Sequence, residues 1–151
     1  TDDAEGAEVL GLVKDYASSD SDIHILLLPP FSDKDINALQ RMATIVLQKS
    51  LKEGFGLTVS EAMWKKKPVI GGAVGGIPLQ IIHGVNGFLV NSVEGTAFRI
   101  RQLLNQPGLA RTMGERGKEN VRTNFLITRQ ARDYLAAWYA SENKGGSVFE
   151  F

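Results

Sequence analysis

The chain alternates between short apolar runs and longer segments in which apolar residues recur at helical spacing. The runs predict buried strands at residues 23–28, 43–47, 69–70 and 88–90. The helical spacing predicts helices at residues 8–17, 34–42, 57–66, 77–82, 96–105, 110–124 and 128–141, after a turn-like start over residues 1–6. Strands that alternate with helices predict an α/β fold, a Rossmann-like, doubly wound parallel sheet.

A short glycine turn after the second strand is the most informative stretch. Glu53 and Glu61 bracket Gly-Phe-Gly-Leu-Thr, and a helical pattern starts directly after the glycines. Glycine removes the side chain that would keep a ligand off the backbone. We expect free amides at residues 55–59, where the positive end of the helix favours phosphate or sugar hydroxyls. With a carboxylate on each side as hydroxyl acceptor, the turn suits a nucleotide sugar better than a bare nucleotide.

A second glycine-rich segment, residues 71–76, follows the third strand. Its backbone can approach either a ligand or a neighbouring element. Both glycine segments follow strands, and doubly wound sheets bind ligands beyond the carboxyl ends of their strands. Glycines are nevertheless common at strand-to-helix turns, and the helix dipole alone favours a Glu in the first turns. Spacing alone therefore leaves a binding site and an ordinary turn equally open.

Composition narrows the class of protein. The 151 residues suffice for one domain, and 17 basic residues balance 17 acidic ones, so no global field attracts nucleic acid or a membrane surface. The chain has no cysteine for a disulfide or a thiolate metal site. Its longest apolar run is too short to span a bilayer. We expect a cytoplasmic protein with neither nucleic acid nor a membrane as partner.

An ordered set of motifs resembles the retaining GT-B glycosyltransferases of family 4 type, which include sucrose synthases, sucrose-phosphate synthases and bacterial mannosyltransferases. Over residues 23–139 the set comprises the Glu53 to Glu61 stretch with Ala62-Met63, Lys67-Pro68-Val69-Ile70, Gly75-Gly76-Ile77-Pro78 and Gly87-Phe88-Leu89-Val90. Residues 47–50, 62–65 and 79–81 resemble most closely the archaeal trehalose glycosyltransferring synthases. Leu79 stands where most members have an acid, which favours the trehalose branch but could equally signal another sugar or acceptor.

The resemblance implies the carboxyl-terminal, donor-binding half of a two-domain enzyme, with residues 1–141 as a partial nucleotide-sugar-binding domain. It implies that Glu53 supports the reacting end of the donor sugar and that Glu61 accepts hydrogen bonds from the ribose hydroxyls. The remaining donor contacts would be backbone amides: those of Gly54, Phe55 and Gly56 for sugar hydroxyls, and those of Leu57 and Thr58 for the diphosphate.

The implied reaction transfers glucose, with retention, from a nucleoside-diphosphate glucose such as UDP-glucose or ADP-glucose to a glucose acceptor, giving trehalose. The resemblance implies no metal in the site and no required cofactor, although Mg²⁺ could accompany the nucleotide. Amides and cations would take up the diphosphate charge. We expect the acceptor site in an amino-terminal domain outside this chain, so the chain alone should be inactive.

In the sheet of the family that the chain resembles, two further strands, missing from this chain, lie between the strand of residues 23–28 and the strand of residues 43–47. The resemblance also implies an Arg and a Lys for the diphosphate, in a loop without a counterpart in residues 1–22. A sheet without those strands has unpaired edges. We expect either a homodimer or a complementing chain that supplies them, or a rearranged fragment. Residues 142–151, with Gly-Gly-Ser, are interpreted as a flexible tail or one added to the protein.

Two rival functions remain open: a noncatalytic nucleotide- or sugar-binding or assembly module of the same fold, which would not need Glu53, and another sugar transferase, such as one like sucrose-phosphate synthase. A nucleoside triphosphatase would need the Gly-Lys-Ser/Thr ending of a phosphate loop, which the sequence lacks. Several other residues are interpreted structurally: His24 and His83, Trp64 and Trp138 in the core or a domain contact, and residues 65–67 as cations at a helix end.

Overall fold

The computed structural model describes residues 4–142. Of the tail predicted at residues 142–151, Glu142 belongs to a helix, and residues 143–151 lie outside the described range. The chain divides into two compact units at Lys34. The first unit contains helix α1 (Ala4–Ala17) and an irregular segment. Helix α2 (Asp33–Met42) begins at the division, and all later elements belong to the second unit.

The second unit carries the sheet. In the described residues the elements after α2 are β1 (Val46–Gln48), α3 (Leu57–Trp64), β2 (Val69–Gly72), α4 (Ile77–Gln80), β3 (Phe88–Val90), α5 (Val93–Asn105), α6 (Pro107–Asn124) and α7 (Ile127–Glu142). The strands are parallel in the order β1-β2-β3, with Val46 opposite Val69 and Ile70 opposite Phe88. This arrangement confirms the predicted α/β class and the parallel sheet, with β1 at one edge.

Helices cover both faces of this sheet. Successive residues of β2 point to opposite sides, so this apolar strand presents apolar side chains to helices on each face. Val69 packs on one side with Met63 of α3 and Ile77 of α4. Ile70 packs on the other side in a cluster that includes Leu103 of α5. Two layers of helix around one parallel sheet are the doubly wound arrangement that the sequence predicted.

The prediction of a strand at residues 23–28 is wrong. These residues form no strand, and Ile23, Leu26 and Leu27 expose 47%, 58% and 63% of their surface. Within residues 4–142 no segment pairs with them. An apolar run becomes a strand only when a neighbouring strand forms hydrogen bonds with its backbone. The sequence of the run alone does not show whether such a neighbour is present.

Several element ends also differ from the predictions. Helix α1 already starts at Ala4, inside the stretch predicted as turn-like. The strand expected at residues 43–47 is reduced to β1, since the amide of Ala43 still donates to the carbonyl of Leu39 at the end of α2. Helix α3 ends at Trp64 because Lys66 adopts a left-handed φ of 59°. Strand β2 continues through Gly72, which the sequence placed in a loop.

The two tryptophans are not core residues of the described part of the chain, contrary to one of the two interpretations offered for them. Trp64 is 41% exposed with Lys118 over its ring, and Trp138 is 65% exposed. His83 has a structural contact, since its Nδ1 accepts the amide of Leu89 at 3.1 Å. Nowhere in residues 4–142 is a helix both long and apolar enough to cross a membrane.

Candidate functional site

The glycine turn after β1 ends in a helix start that no side chain caps. Gly56 takes the left-handed conformation (φ 82°, ψ 60°) that brings the chain into α3. As the first two helical residues, Leu57 and Thr58 have no carbonyl of an earlier helical turn to which their amides can donate. The expectation of free amides is wrong for Val59, whose amide donates to Gly56 at 2.9 Å.

Glu53 enters this turn with its carboxylate fixed by neighbours. Its Oε2 accepts from Gln48 Nε2 and from Ser50 Oγ, both at 3.1 Å, and Gln48 also donates to Ser50 Oγ at 2.8 Å. Its Oε1 accepts the amide of Gly54 at 3.0 Å. The half-buried carboxylate is thus held at the carboxyl end of β1. The Gly54 amide, expected to face a sugar hydroxyl, is occupied by the carboxylate of its own neighbour.

Glu61 is exposed on α3, the helix that begins at the turn. Its Oε2 accepts from Nε2 of Gln40, a buried residue of α2, at 2.9 Å. Gln40 in turn accepts from Lys65 Nζ at 2.6 Å, and Lys65 also reaches the carbonyl of Glu61 at 3.3 Å. Within the described residues Oε1 of Glu61 accepts no hydrogen bond. One carboxylate oxygen is therefore held in place while the other is available to a ligand.

The second glycine segment packs against the first, which decides between its two possible roles. Gly75 is left-handed (φ 55°), and a β-carbon on it would overlap the carbonyl of Glu53. A β-carbon on Gly76 would lie 2.7 Å from the Gly54 carbonyl oxygen, and the Gly76 amide donates to that oxygen at 2.6 Å. Here the glycines serve close packing of one backbone on another.

Gln80 is the polar residue that the sequence analysis missed. It is completely buried, yet its Nε2 donates to the carbonyl of Phe55 and lies 3.4 Å from the carbonyl oxygen of Gly56. Its Oε1 accepts from Ser60 Oγ at 2.6 Å. A glutamine between apolar residues gives no sequence signal for these contacts, because its partners lie 20 to 25 positions earlier in the chain.

A groove beside the turn includes only Phe55 among the predicted site residues. Phe55 packs on Phe125, with ring centroids 5.7 Å apart, and α7 contributes Arg129, Asp133 and Tyr134 to the groove. The hydrogen-bonding groups described above lie on the turn itself. Among residues 4–142 there is no cluster of three or more His, Asp or Glu side chains that could hold a metal ion.

Perturbed ionisation occurs away from the turn, on the exposed surface of the later helices. Hydrogen bonds from its own backbone and from Ser92 lower the pKa of Glu94 at the start of α5. The hydrogen bond with Arg122 lowers the pKa of Glu119 on α6, and the same contact raises the pKa of Arg122. These groups are exposed, and their shifts indicate local surface contacts.

The comparisons with known proteins agree on one protein family. The model of the family "Glycosyl transferases group 1" matches residues 14–120. A trehalose synthase of Rubrobacter xylanophilus is 46% identical over 135 residues, covering 89% of this chain but only 32% of the relative. Sucrose-phosphate synthase of Thermosynechococcus elongatus superposes with a TM-score of 0.75 at 29% identity, over 93% of this chain and 36% of that one. Anabaena HepE, solved with UDP-glucose, gives 0.72 at 22% identity over 90% and 38%.

Proposed function

The chain belongs to the group 1 glycosyl transferases, and we propose that it is the donor-binding part of a trehalose synthase. That enzyme would transfer glucose from a nucleoside-diphosphate glucose to glucose with retention. The 46% identity to a curated trehalose synthase supports this choice of reaction. The chain spans about a third of that relative's length, so the acceptor site is assigned to the part of the enzyme outside these residues.

The layout of the glycine turn is the observation that carries the proposal. A fixed carboxylate, Glu53, is followed by the open helix amides of Leu57 and Thr58 and then by a second carboxylate, Glu61. A nucleotide sugar needs hydroxyl acceptors at its sugar and at its ribose, with hydrogen-bond donors for the phosphates between them. The turn offers these groups in that order along the chain.

We assign the reacting end of the sugar to Glu53. The sheet places this carboxylate at the carboxyl end of β1, where ligands of doubly wound folds bind. Positive charge that develops on the sugar during transfer would be stabilised by a carboxylate whose position is already fixed. When the donor enters, a sugar hydroxyl would replace Glu53 Oε1 as the partner of the Gly54 amide, and the amides of Phe55 and Gly56 would bind neighbouring hydroxyls.

The diphosphate is assigned to the amides of Leu57 and Thr58. Their position at the start of an uncapped helix combines free donors with the positive end of the helix dipole. In this proposal no metal is required, since amides and cations would take up the diphosphate charge, and Mg²⁺ would enter only with the nucleotide. Anabaena HepE, which shares the fold, was solved with UDP-glucose.

The ribose is assigned to Glu61, and this assignment can be tested by calorimetric titration with UDP-glucose and ADP-glucose. We expect Glu61→Ala to weaken binding by about 1–3 kcal/mol, because a charge-assisted hydrogen bond is lost. Glu115→Ala is the matched control, an exposed glutamate on α6 outside the turn, and should bind as the original chain does.

Two results would contradict the proposal. Failure of the folded chain to bind either nucleotide sugar would remove its role as a donor site. An equal loss of affinity in Glu61→Ala and Glu115→Ala would remove the ribose assignment. The comparison of UDP-glucose with ADP-glucose fixes the base, and product analysis with glucose or fructose 6-phosphate as acceptor, in the complete enzyme, separates a trehalose synthase from an enzyme like sucrose-phosphate synthase.

A further inference from the structure

Three consecutive carbonyls of the glycine turn are held on one side by the second glycine segment and α4. The carbonyl of Gly54 accepts from the Gly76 amide at 2.6 Å. The next two carbonyls, those of Phe55 and Gly56, both face Nε2 of Gln80. All three contacts come from the side of the turn that packs into the protein.

Peptide geometry converts these contacts into a direction for the amides. In a trans peptide the carbonyl and the following N–H point to opposite sides of the chain, and the structure contains no cis peptide in its described part. A carbonyl of Phe55 held inwards turns the amide of Gly56 outwards. The carbonyl of Gly56 accepts from the Val59 amide at 2.9 Å and also faces Gln80, and its direction does the same for the amide of Leu57. Consecutive amides on one side form a concave surface that binds anions.

We propose that Gln80 is the positioning residue that aims the Gly56 and Leu57 amides at the donor, an inference that rests on the proposed donor site. Gln80 touches no ligand in this scheme and acts only through the two peptide planes. The ligand that benefits is the diphosphate together with the first sugar hydroxyl beside it.

The carboxamide of Gln80 has only one orientation that suits its surroundings. Carbonyl oxygens accept hydrogen bonds and cannot donate them, so the side facing Phe55 and Gly56 must be the amino group. The remaining oxygen then accepts from the Ser60 hydroxyl of α3. The backbone carbonyl of Gln80 is fixed as well, by Asn86 Nδ2 at 3.1 Å and Asn120 Nδ2 at 3.0 Å. Gln80 is therefore immobilised at both ends.

The test compares UDP binding by Gln80→Leu and Asn86→Leu in the full chain. Asn86 is the matched control, since it is another buried amide that bonds to Gln80 and Ile82 but not to the glycine turn. We expect Gln80→Leu to weaken UDP binding about tenfold, because the turn loses its buried donor. Asn86→Leu should lower the melting temperature but keep UDP affinity within about twofold, since Asn120 still holds the Gln80 carbonyl.

A spectroscopic readout separates aiming of the amides from a general loss of stability. In ¹⁵N-labelled protein, UDP-glucose should shift the amide resonances of Gly56 and Leu57 in the original chain and in Asn86→Leu, but much less in Gln80→Leu. Ser60→Ala is the milder variant if Gln80→Leu fails to fold, and it should weaken UDP binding by about threefold.

Equal UDP affinities in Gln80→Leu and Asn86→Leu would overturn the assignment of Gln80 while leaving the donor site intact. Unchanged UDP affinity in Ser60→Ala, with unchanged Gly56 and Leu57 shifts, would overturn it as well. Absence of UDP binding by the original folded chain would instead remove the donor site, and the role of Gln80 with it.

Discussion

The two glycine segments of this protein have similar composition but opposite surroundings. Gly54 is exposed, and nothing lies within 4 Å of where its β-carbon would be, although Gly56 of the same turn is buried beside Ile77. At Gly75 a β-carbon would overlap the backbone of Glu53, and Gly76 is buried against the same turn. Gly54 therefore lies at a surface where a ligand can approach, whereas Gly75 and Gly76 lie where another backbone is already present.

The different surroundings of the two segments give them different roles: the second contributes to the stability of the fold, and the first to the proposed function. The second segment holds the shape of the first through its close contact and the hydrogen bond from Gly76 to Gly54. The first segment carries the carboxylate and the amides that the proposed reaction needs. Substitutions in the second should therefore affect folding, and substitutions in the first should affect the ligand and the chemistry.

The largest effect is expected for Gly75→Ala. The added methyl group overlaps the Glu53 carbonyl, and the left-handed φ of 55° is itself unfavourable for alanine. We expect the free energy of unfolding to fall by more than about 3 kcal/mol, measured by equilibrium urea denaturation. A decrease of less than about 1 kcal/mol would show that the two segments can move apart, and the comparison between them would fail.

Glu53→Gln should affect chemistry far more than folding, although its amide nitrogen cannot accept one of the hydrogen bonds that the carboxylate accepts. The substitution keeps the shape of the side chain but removes the negative charge beside the reacting sugar, so turnover in the complete enzyme should fall about 10²–10³-fold. Steady-state kinetics measure this effect, and urea denaturation of the same variant should show a small change. Glu115→Gln provides the control for loss of an exposed carboxylate. Unchanged turnover would contradict the assignment of Glu53 to the reacting end of the sugar.

The smallest change in stability is expected for Gly54→Ala. A methyl group there meets no other atom within 4 Å, so the free energy of unfolding should stay within about 0.5 kcal/mol of the original. Calorimetry should nevertheless show weaker binding of the nucleotide sugar, because the methyl group fills space beside the amide assigned to a sugar hydroxyl. A variant that is strongly destabilised, or that binds the donor unchanged, would contradict the distinction drawn between the two segments.

The elements that the sequence predicted correctly are those whose signals lie within the element or directly beside it. The helices near residues 34–42 and 57–64 follow from apolar spacing and from Pro68 after the second of them. Strands β2 and β3 follow from short apolar runs next to glycine turns. The stretch at residues 23–28 has the same kind of run and forms no strand, because strand formation depends on a partner elsewhere in the chain.

Prediction of the site from the sequence has the same limit, because contacts between residues far apart in the chain leave no local signal. The sequence located Glu53, Glu61 and the glycines between them, because glycine and acid types near a helix start carry a local signal. It could not show that Gln40 holds Glu61 from 21 positions away, or that Gln80 holds the turn from 25 positions away. It also left open what the second glycine segment approaches, since only the tertiary structure brings Gly75 against Glu53.

The edge position of β1 bears on how this stretch of chain, taken by itself, behaves in concentrated solution. In the described residues nothing pairs with the outer side of this strand, and Leu47 is 44% exposed there. Such an edge is a template on which a second molecule can add a strand, which is how aggregation of β-proteins begins. Lys49 follows the strand directly, Lys52 comes three positions later, and both are exposed. Like charges on approaching molecules oppose this addition, and added salt would weaken that protection.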